Sequence, residues 1–289
     1  MYTANQEIGV PRSDSLTPHQ PPFSETLTIW MPSFRKHRRG LVLLLAAFCP
    51  PVESFQTQPP VVAAGPLPSS ETLQYNVEWR LITAGKMSVH FAAMSGDGFQ
   101  AKVHMESAGL VSKLFKVDDD YSSSLDQNLC ASSSFFKTHE GNRQRETRIN
   151  FDPVRKKASY LERDTVKNTV LLAHDIDIPQ CVCDIAGGLY RMRTLNIEPG
   201  QTAQVPISDG KKSALVRVDA QRIETVKTPA GVFKAVRYEA FLFNNVIYRR
   251  SGRAYIWLTN DRRRLPVQIQ VHLQLAIGTI TLQLEKEET

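Results

Sequence analysis

Between Val246 and Leu284, aliphatic residues recur at every second position on both sides of one polar turn, and this spacing limits the possible folds more than any other feature. Over residues 248–259 the even positions Ala254, Ile256 and Leu258 are aliphatic, while the odd positions hold Arg249, Arg253, Tyr255 and Trp257. A polar cluster, Asn260 to Arg264, runs into Leu265 and Pro266. Beyond it Ile269, Val271, Leu273 and Leu275 alternate with Gln268, Gln270, His272 and Gln274. Side chains of a strand point alternately to its two faces, so the pattern predicts an antiparallel hairpin with one buried face.

The same period recurs upstream. Leu73, Tyr75, Val77, Trp79 and Leu81 share one parity, opposite Gln74, Asn76, Glu78 and Arg80. Ala84-Gly85 reads as a turn, after which Met87, Val89, Phe91 and Ala93 form a second apolar face. Gly96-Asp97-Gly98 reads as another turn, followed by Phe99, Ala101, Val103 and Met105. Further strands are expected over 114–121, 129–137, 146–152, 157–163, 169–174, 201–207, 213–220 and 233–242, with a tight turn at Thr228-Pro229-Ala230-Gly231. Past Ile277 the aliphatic parity changes to Ile280, Leu282 and Leu284, which predicts a bulge or bend at Gly278 within the last strand. One segment, 184–195, reads as a helix capped by Asp184, with Ile185, Leu189 and Met192 on one side. Gly187 and Gly188 each weaken it by about 1 kcal/mol relative to alanine, so packing must hold it. The expected fold is all-β: one domain over 71–286, a large antiparallel, strongly bent sheet or partly closed barrel with one short helix.

The N-terminal residues follow a different pattern. Residues 1–30 are polar and proline-containing without a period, and read as disordered sequence upstream of the true start at Met31. Phe34 to Arg39 is basic, Leu41 to Phe48 is a short apolar run, and Cys49 to Ser54 resembles a processing region; residues 31–54 therefore read as a secretory signal peptide. Lipidation at Cys49 is disfavoured by the bulky Phe48 before it, which leaves cleavage after Ser54 or Ala64. Residues 55–70 read as a flexible Pro-rich leader, and no later stretch is long and apolar enough to span a bilayer. The expected location is exported, in the periplasm or outer envelope of a bacterium. Beyond residue 54 there are 30 Lys and Arg against 25 Asp and Glu, a mild bias toward anionic surfaces and too diffuse for a nucleic-acid partner. Cys130, Cys181 and Cys183 remain, and an oxidising destination favours a disulfide from Cys130 to one of the other two.

From about Glu71 to Leu284 the chain resembles the exported bacterial family catalogued as domain of unknown function 3108. The likeness rests on Leu73-x-Tyr75-x-Val77-x-Trp79 with Ala84-Gly85, and on the helix ending Leu189-Tyr190-Arg191-Met192-Arg193. It also rests on Thr228 to Gly231, Trp257 to Asp261 leading to Leu265-Pro266-Val267, and Ile277-Gly278. The resemblance implies an envelope location and a large antiparallel β fold, and it implies no reaction. The glycine pair in the helix departs from the family pattern.

Residue types that carry chemistry are present without the spacing that chemistry needs. His90, His104, His139, His174 and His272 form no metal motif, Asp118-Asp119-Asp120 lacks the spacing of a calcium loop, and the serine triplets lack a glycine-flanked elbow. Neither catalytic residues nor a cofactor are expected. The candidate ligand surface is Arg249, Arg253, Tyr255 and Trp257 with Trp79, because guanidinium groups beside aromatic rings suit an amphipathic anion or a sugar. The expected role is a non-catalytic binding or carrier module for an amphipathic lipid or glycan-like ligand. The alternatives are a structural or assembly protein of the envelope and, third, an envelope-polymer hydrolase.

Overall fold

The structure, a computed structural model, describes residues 60–80, 82–273 and 278–288. The expected signal peptide, Cys49, Leu81, Leu275 and Ile277 lie outside the described residues. The first meander comprises β1 (Ser70–Trp79), β2 (Ile82–Ala93), β3 (Phe99–Ser107), β4 (Asp118–Leu125), β5 (Ala131–Glu140), β6 (Arg143–Asp152), β7 (Lys157–Asp164) and β8 (Thr169–Asp177). A short helix α1 (Gly109–Leu114) interrupts it between β3 and β4, and α2 (Ile185–Arg193) follows it. The second meander comprises β9 (Thr202–Ser208), β10 (Ser213–Thr228), β11 (Gly231–Ala240), β12 (Gly252–Thr259), β13 (Pro266–Leu273) and β14 (Gly278–Glu288).

All the strands join in one 14-stranded antiparallel sheet, because β1 pairs with β14 as well as with β2. The sheet is open, with β8 and β9 as its two edges. The all-β, bent-sheet expectation therefore holds, and so do its main parities. Leu73, Tyr75, Val77, Val89, Phe91 and Ala101 are buried. The expected hairpin of β12 and β13 forms, with Ala254 opposite Val271 and Ile256 opposite Ile269.

Four local expectations are corrected. Ala84-Gly85 lies inside β2; the reversal is earlier, where Trp79 pairs with Ile82 and Arg80 takes φ 49°. A Cβ on Gly85 would stand 2.2 Å from the Glu106 carbonyl oxygen, so that glycine permits close strand approach. The strand expected from Leu114 starts only at Asp118, because α1 occupies Gly109–Leu114. Gly278 marks a reversal and not a bulge: Leu273 pairs with Gly278, whose φ of 78° suits glycine, and β14 runs antiparallel to β13. Finally, β12 is buried on both faces from Ala254 to Thr259. Tyr255 and Trp257 pack in one core cluster with Val226 and Ala235 of the β10–β11 hairpin, whose turn reaches β14 through Ala230 N–H donating to the Leu284 carbonyl (3.0 Å).

Helix α2 links the two meanders. Asp184 caps it as expected, accepting from Gly187 N–H at 2.7 Å. The paired glycines allow close packing. A Cβ on Gly187 would come within 2.9 Å of Leu125 Cδ2, and one on Gly188 within 2.4 Å of Ile207 Cδ1. Tyr190 stacks on Phe91 of β2 at 3.7 Å between centroids, while Met192 packs with Val205 and Ile207 of β9. Residues 60–65 are also hydrogen-bonded to the domain. Val62 N–H donates to Asn260 Oδ1 (2.8 Å), Ala64 N–H to Asn196 Oδ1 (2.8 Å), and Gly65 N–H to the Arg262 carbonyl (2.7 Å).

Candidate functional site

Two sets of charged groups have defined partners, one in the buried surroundings of α2 and one on a face of β10–β12. The interior set is the tighter. Glu71 shares the inward parity of Leu73 and Tyr75, so its carboxylate enters the core, where Arg193 forms an ion pair with both side chains 2 % exposed. Arg193 Nη2 donates to Glu71 Oε2 (3.2 Å) and to the Arg263 carbonyl (3.1 Å), and the Tyr190 hydroxyl donates to Glu71 Oε1 (2.8 Å). Burial, reinforced by the Glu71 charge, pushes the Tyr190 hydroxyl far above its usual range, so it stays a neutral donor. Asp184 Oδ2 accepts from Tyr121 and Ser134 hydroxyls, each at 2.6 Å. Arg264 is fully buried without a carboxylate partner among the described residues; it donates to the Tyr238 hydroxyl and to the Val62 carbonyl, both at 2.7 Å.

The disulfide joins Cys130 to Cys181, tying the β4–β5 connection to the segment that leads into α2. Cys183 is free and buried, and burial pushes its thiol up to about 12, which makes it a poor nucleophile. It docks the same segment on β9 through Cys183 N–H to the Pro206 carbonyl (2.9 Å).

The second set lies on the face opposite Ala254, Ile256 and Leu258. Arg237 on β11 is placed across from Trp257, with its guanidinium carbon 4.4 Å from the Tyr255 ring centroid and 5.9 Å from that of Trp257. Its buried Nε has no hydrogen-bond partner among the described residues. Trp257 Nε1 donates to Glu224 Oε1, and Arg222 Nε to Glu224 Oε2, both at 2.5 Å. Burial alone would raise the Glu224 carboxyl; the hydrogen bonds from Trp257 and Arg222, with the charges of Arg222 and Arg237, outweigh it and hold the group below the usual carboxylate range. Arg253 is 68 % exposed along its side chain, donates to the Tyr255 hydroxyl at 3.3 Å, and lies 3.9 Å from Glu239. The adjoining strands continue this face with amides and hydroxyls, including Gln268, Gln270, Thr281 and Gln283.

Of the residues singled out from the sequence, Arg253, Tyr255 and Trp257 are thus together, with the two rings buried under Arg237. Arg249 lies exposed in the connection before β12. Trp79 pairs with Ile280, Ile280 with Val271, and Val271 with Ala254, which puts Trp79 in the row of Ala254 and on the opposite face from Tyr255. Arg237 and Glu224 were missed because cross-strand neighbours cannot be known before register. Glu71 did leave a signal, a carboxylate at an inward parity. A second, open depression is lined by Lys86, Ser88, His104, Glu106 and Glu285. There the His104 imidazole sits 2.9 Å from Asp120, whose hydrogen bond raises the proton affinity of the ring. Among the described residues no cluster of His, Cys, Asp and Glu could hold a metal ion, and no helix is long and apolar enough to cross a membrane.

The family described as "Protein of unknown function (DUF3108)" matches residues 74–285. Solved structures of similar shape include a β-barrel-like protein of domain of unknown function DUF1849 from Brucella abortus, 10% identical, with TM-score 0.49 over 77% of this chain and 98% of that one. Others are a DUF1089 family protein from Pseudomonas aeruginosa (15% identical, TM-score 0.36, 65% of this chain and 90% of that one) and a candidate exported protein with a YmcC-like fold from Bacteroides fragilis (9% identical, TM-score 0.35, 79% and 100%). No curated protein matches the sequence.

Proposed function

The chain belongs to the DUF3108 family, and from that premise we propose that it is an exported, non-catalytic binding or carrier module for a glycan-like envelope component, free or lipid-borne, that bears an anionic group. The arginine face of β11–β14 is the binding surface. The observation that carries this reading is the Arg237 guanidinium stacked over Tyr255 and Trp257 beside the largely exposed Arg253. Rings beneath a guanidinium fix its plane, and a fixed plane favours two parallel hydrogen bonds to a carboxylate, phosphate or sulfate. The neighbouring amides and hydroxyls suit the hydroxyl groups of a sugar. Export is supported by the basic and apolar order of residues 34–48 and by the Cys130–Cys181 disulfide, a bond that persists in oxidising compartments.

Titration of the purified protein with uronic-acid and sulfated oligosaccharides, followed by tryptophan fluorescence, tests the proposal. A saturable change that Arg253→Gln weakens is expected, since Trp257 lies under the site. A flat titration across acidic and neutral sugars contradicts it.

A further inference from the structure

The two ends of the strands carry different connections. Because every neighbouring pair is antiparallel, the β1–β2, β3–β4, β5–β6 and β7–β8 connections lie at one end of the first meander's strands. That end carries α1, none of whose residues is buried. Leu110 is 72 % exposed, Leu114 85 % and Phe115 50 %, and Ile82 at the neighbouring hairpin is also 50 % exposed. Apolar side chains on a soluble surface are ordinary when single; here three follow one another on a single projecting turn. The turn is anchored to the sheet. Ala108 N–H donates to the Ala84 carbonyl (2.8 Å), Gly141 N–H to the Lys116 carbonyl (2.8 Å), and the Phe115 ring lies so close to Gly141 that a Cβ there would meet it at 3.2 Å.

The charge at this end has one dominant sign. Lys113 and Lys116 flank the apolar side chains, and Lys167 lies in the β7–β8 connection. In the β1–β2, β3–β4, β5–β6 and β7–β8 connections the sequence has no carboxylate. The connections at the opposite end of the same strands hold Asp97 and Asp126 with Arg155 and Lys156. Carboxylates do lie on the strands adjoining α1, and two of them are engaged: Asp119 is buried and accepts from His139 N–H (2.9 Å), and Asp120 holds His104.

We propose that this end docks on a bilayer surface rich in anionic phospholipid, with Leu110, Leu114 and Phe115 entering the interface and the flanking cations lying among the lipid phosphates. Apolar side chains flanked by lysines match the two layers of such a surface, acyl chains below and negative headgroups above. The proposal does not rest on the ligand-binding reading, which concerns the arginine face of β11–β14.

Co-sedimentation of the purified protein with vesicles of equal parts phosphatidylcholine and phosphatidylglycerol tests it, with pure phosphatidylcholine vesicles as reference. Binding to the anionic vesicles is expected to be stronger by about tenfold or more and to fall as salt is raised. Leu114→Asp and, separately, the pair Lys113→Glu with Lys116→Glu are each expected to weaken it about tenfold. Their melting temperatures should match the parent, since these side chains are exposed. Lys156→Glu, in the β6–β7 connection at the other end, should bind as the parent does. Equal binding to both vesicle types, no binding to either, or full binding by both α1 variants overturns the proposal.

Discussion

Arg193 and Arg264 beside α2, and Arg237 and Arg253 on β11 and β12, are four arginines in two settings. The interior pair is sealed from water, with guanidinium nitrogens bonded to Glu71, to backbone carbonyls and to a tyrosine hydroxyl. The face pair is held by aromatic rings, with Arg253 3.9 Å from the carboxylate of Glu239. A buried charge with direct partners is committed to the fold, and removing the partner is costly. A guanidinium braced by rings keeps its charge for something outside. Substitutions should therefore separate the two groups: interior changes alter stability, and face changes alter binding.

The largest effect is expected at Glu71. Glu71→Gln leaves Arg193 buried without a counter-charge and should destabilise by about 3–5 kcal/mol in denaturant unfolding. Replacing both partners together, Glu71→Leu with Arg193→Met, should cost less than the single change, because no orphan charge remains. A double variant as damaged as Glu71→Gln would mean that shape, and not charge, dominates this site. Next is the clamp on the segment entering α2. Cys130→Ser should lower stability by about 2–4 kcal/mol, read as a shift of the unfolding midpoint against the oxidised parent.

A third change sets helix propensity against packing. Alanine at position 188 would favour an isolated helix by about 1 kcal/mol, yet its Cβ would meet Ile207 Cδ1 at 2.4 Å. Overpacking of that kind costs about 1–3 kcal/mol, so Gly188→Ala should lower the melting temperature. An unchanged or higher melting temperature would show that β9 moves aside freely.

These sites also show what the sequence disclosed and what it withheld. Alternation placed Leu73, Tyr75, Val77, Val89 and Phe91 in the core because each strand segment has a single parity, and Asp184 announced its helix by its side chain alone. Helix α1 left no comparable sign, having no side-chain cap and only one and a half turns. The reversal before Gly278 was hidden because Gln274 to Ile277 contain none of the residues that mark turns. Burial of Tyr255 and Trp257 depends on the β10–β11 hairpin crossing toward β14, a long-range contact to which β12's own alternation is blind. For the same reason Arg237 could not be grouped with the rings it covers, whereas Trp79 could be grouped with them and was not on their face.

The smallest effect belongs to the arginine face, and it depends on pH. The folded-state pKa of Glu224 is depressed, so its hydrogen bonds to Trp257 and Arg222 stabilise the fold above the unfolded carboxyl value of about 4. That stability is lost as pH falls through the lower folded value. Glu224→Gln should flatten this acid limb by removing well under about 1 kcal/mol near neutral pH while leaving stability at low pH little changed. An acid limb of the same slope in the variant would remove Glu224 from the set of groups that shape it.

The division between the two sets of arginines is tested most directly by native mass spectrometry of the parent and Arg253→Gln, purified in parallel from the envelope fraction of producing cells. The expected spectra show a non-covalent adduct on the parent and its loss from the variant, with equal melting temperatures. Bare polypeptide masses for both proteins, or the same adduct on both, would contradict a binding role for the β11–β14 face.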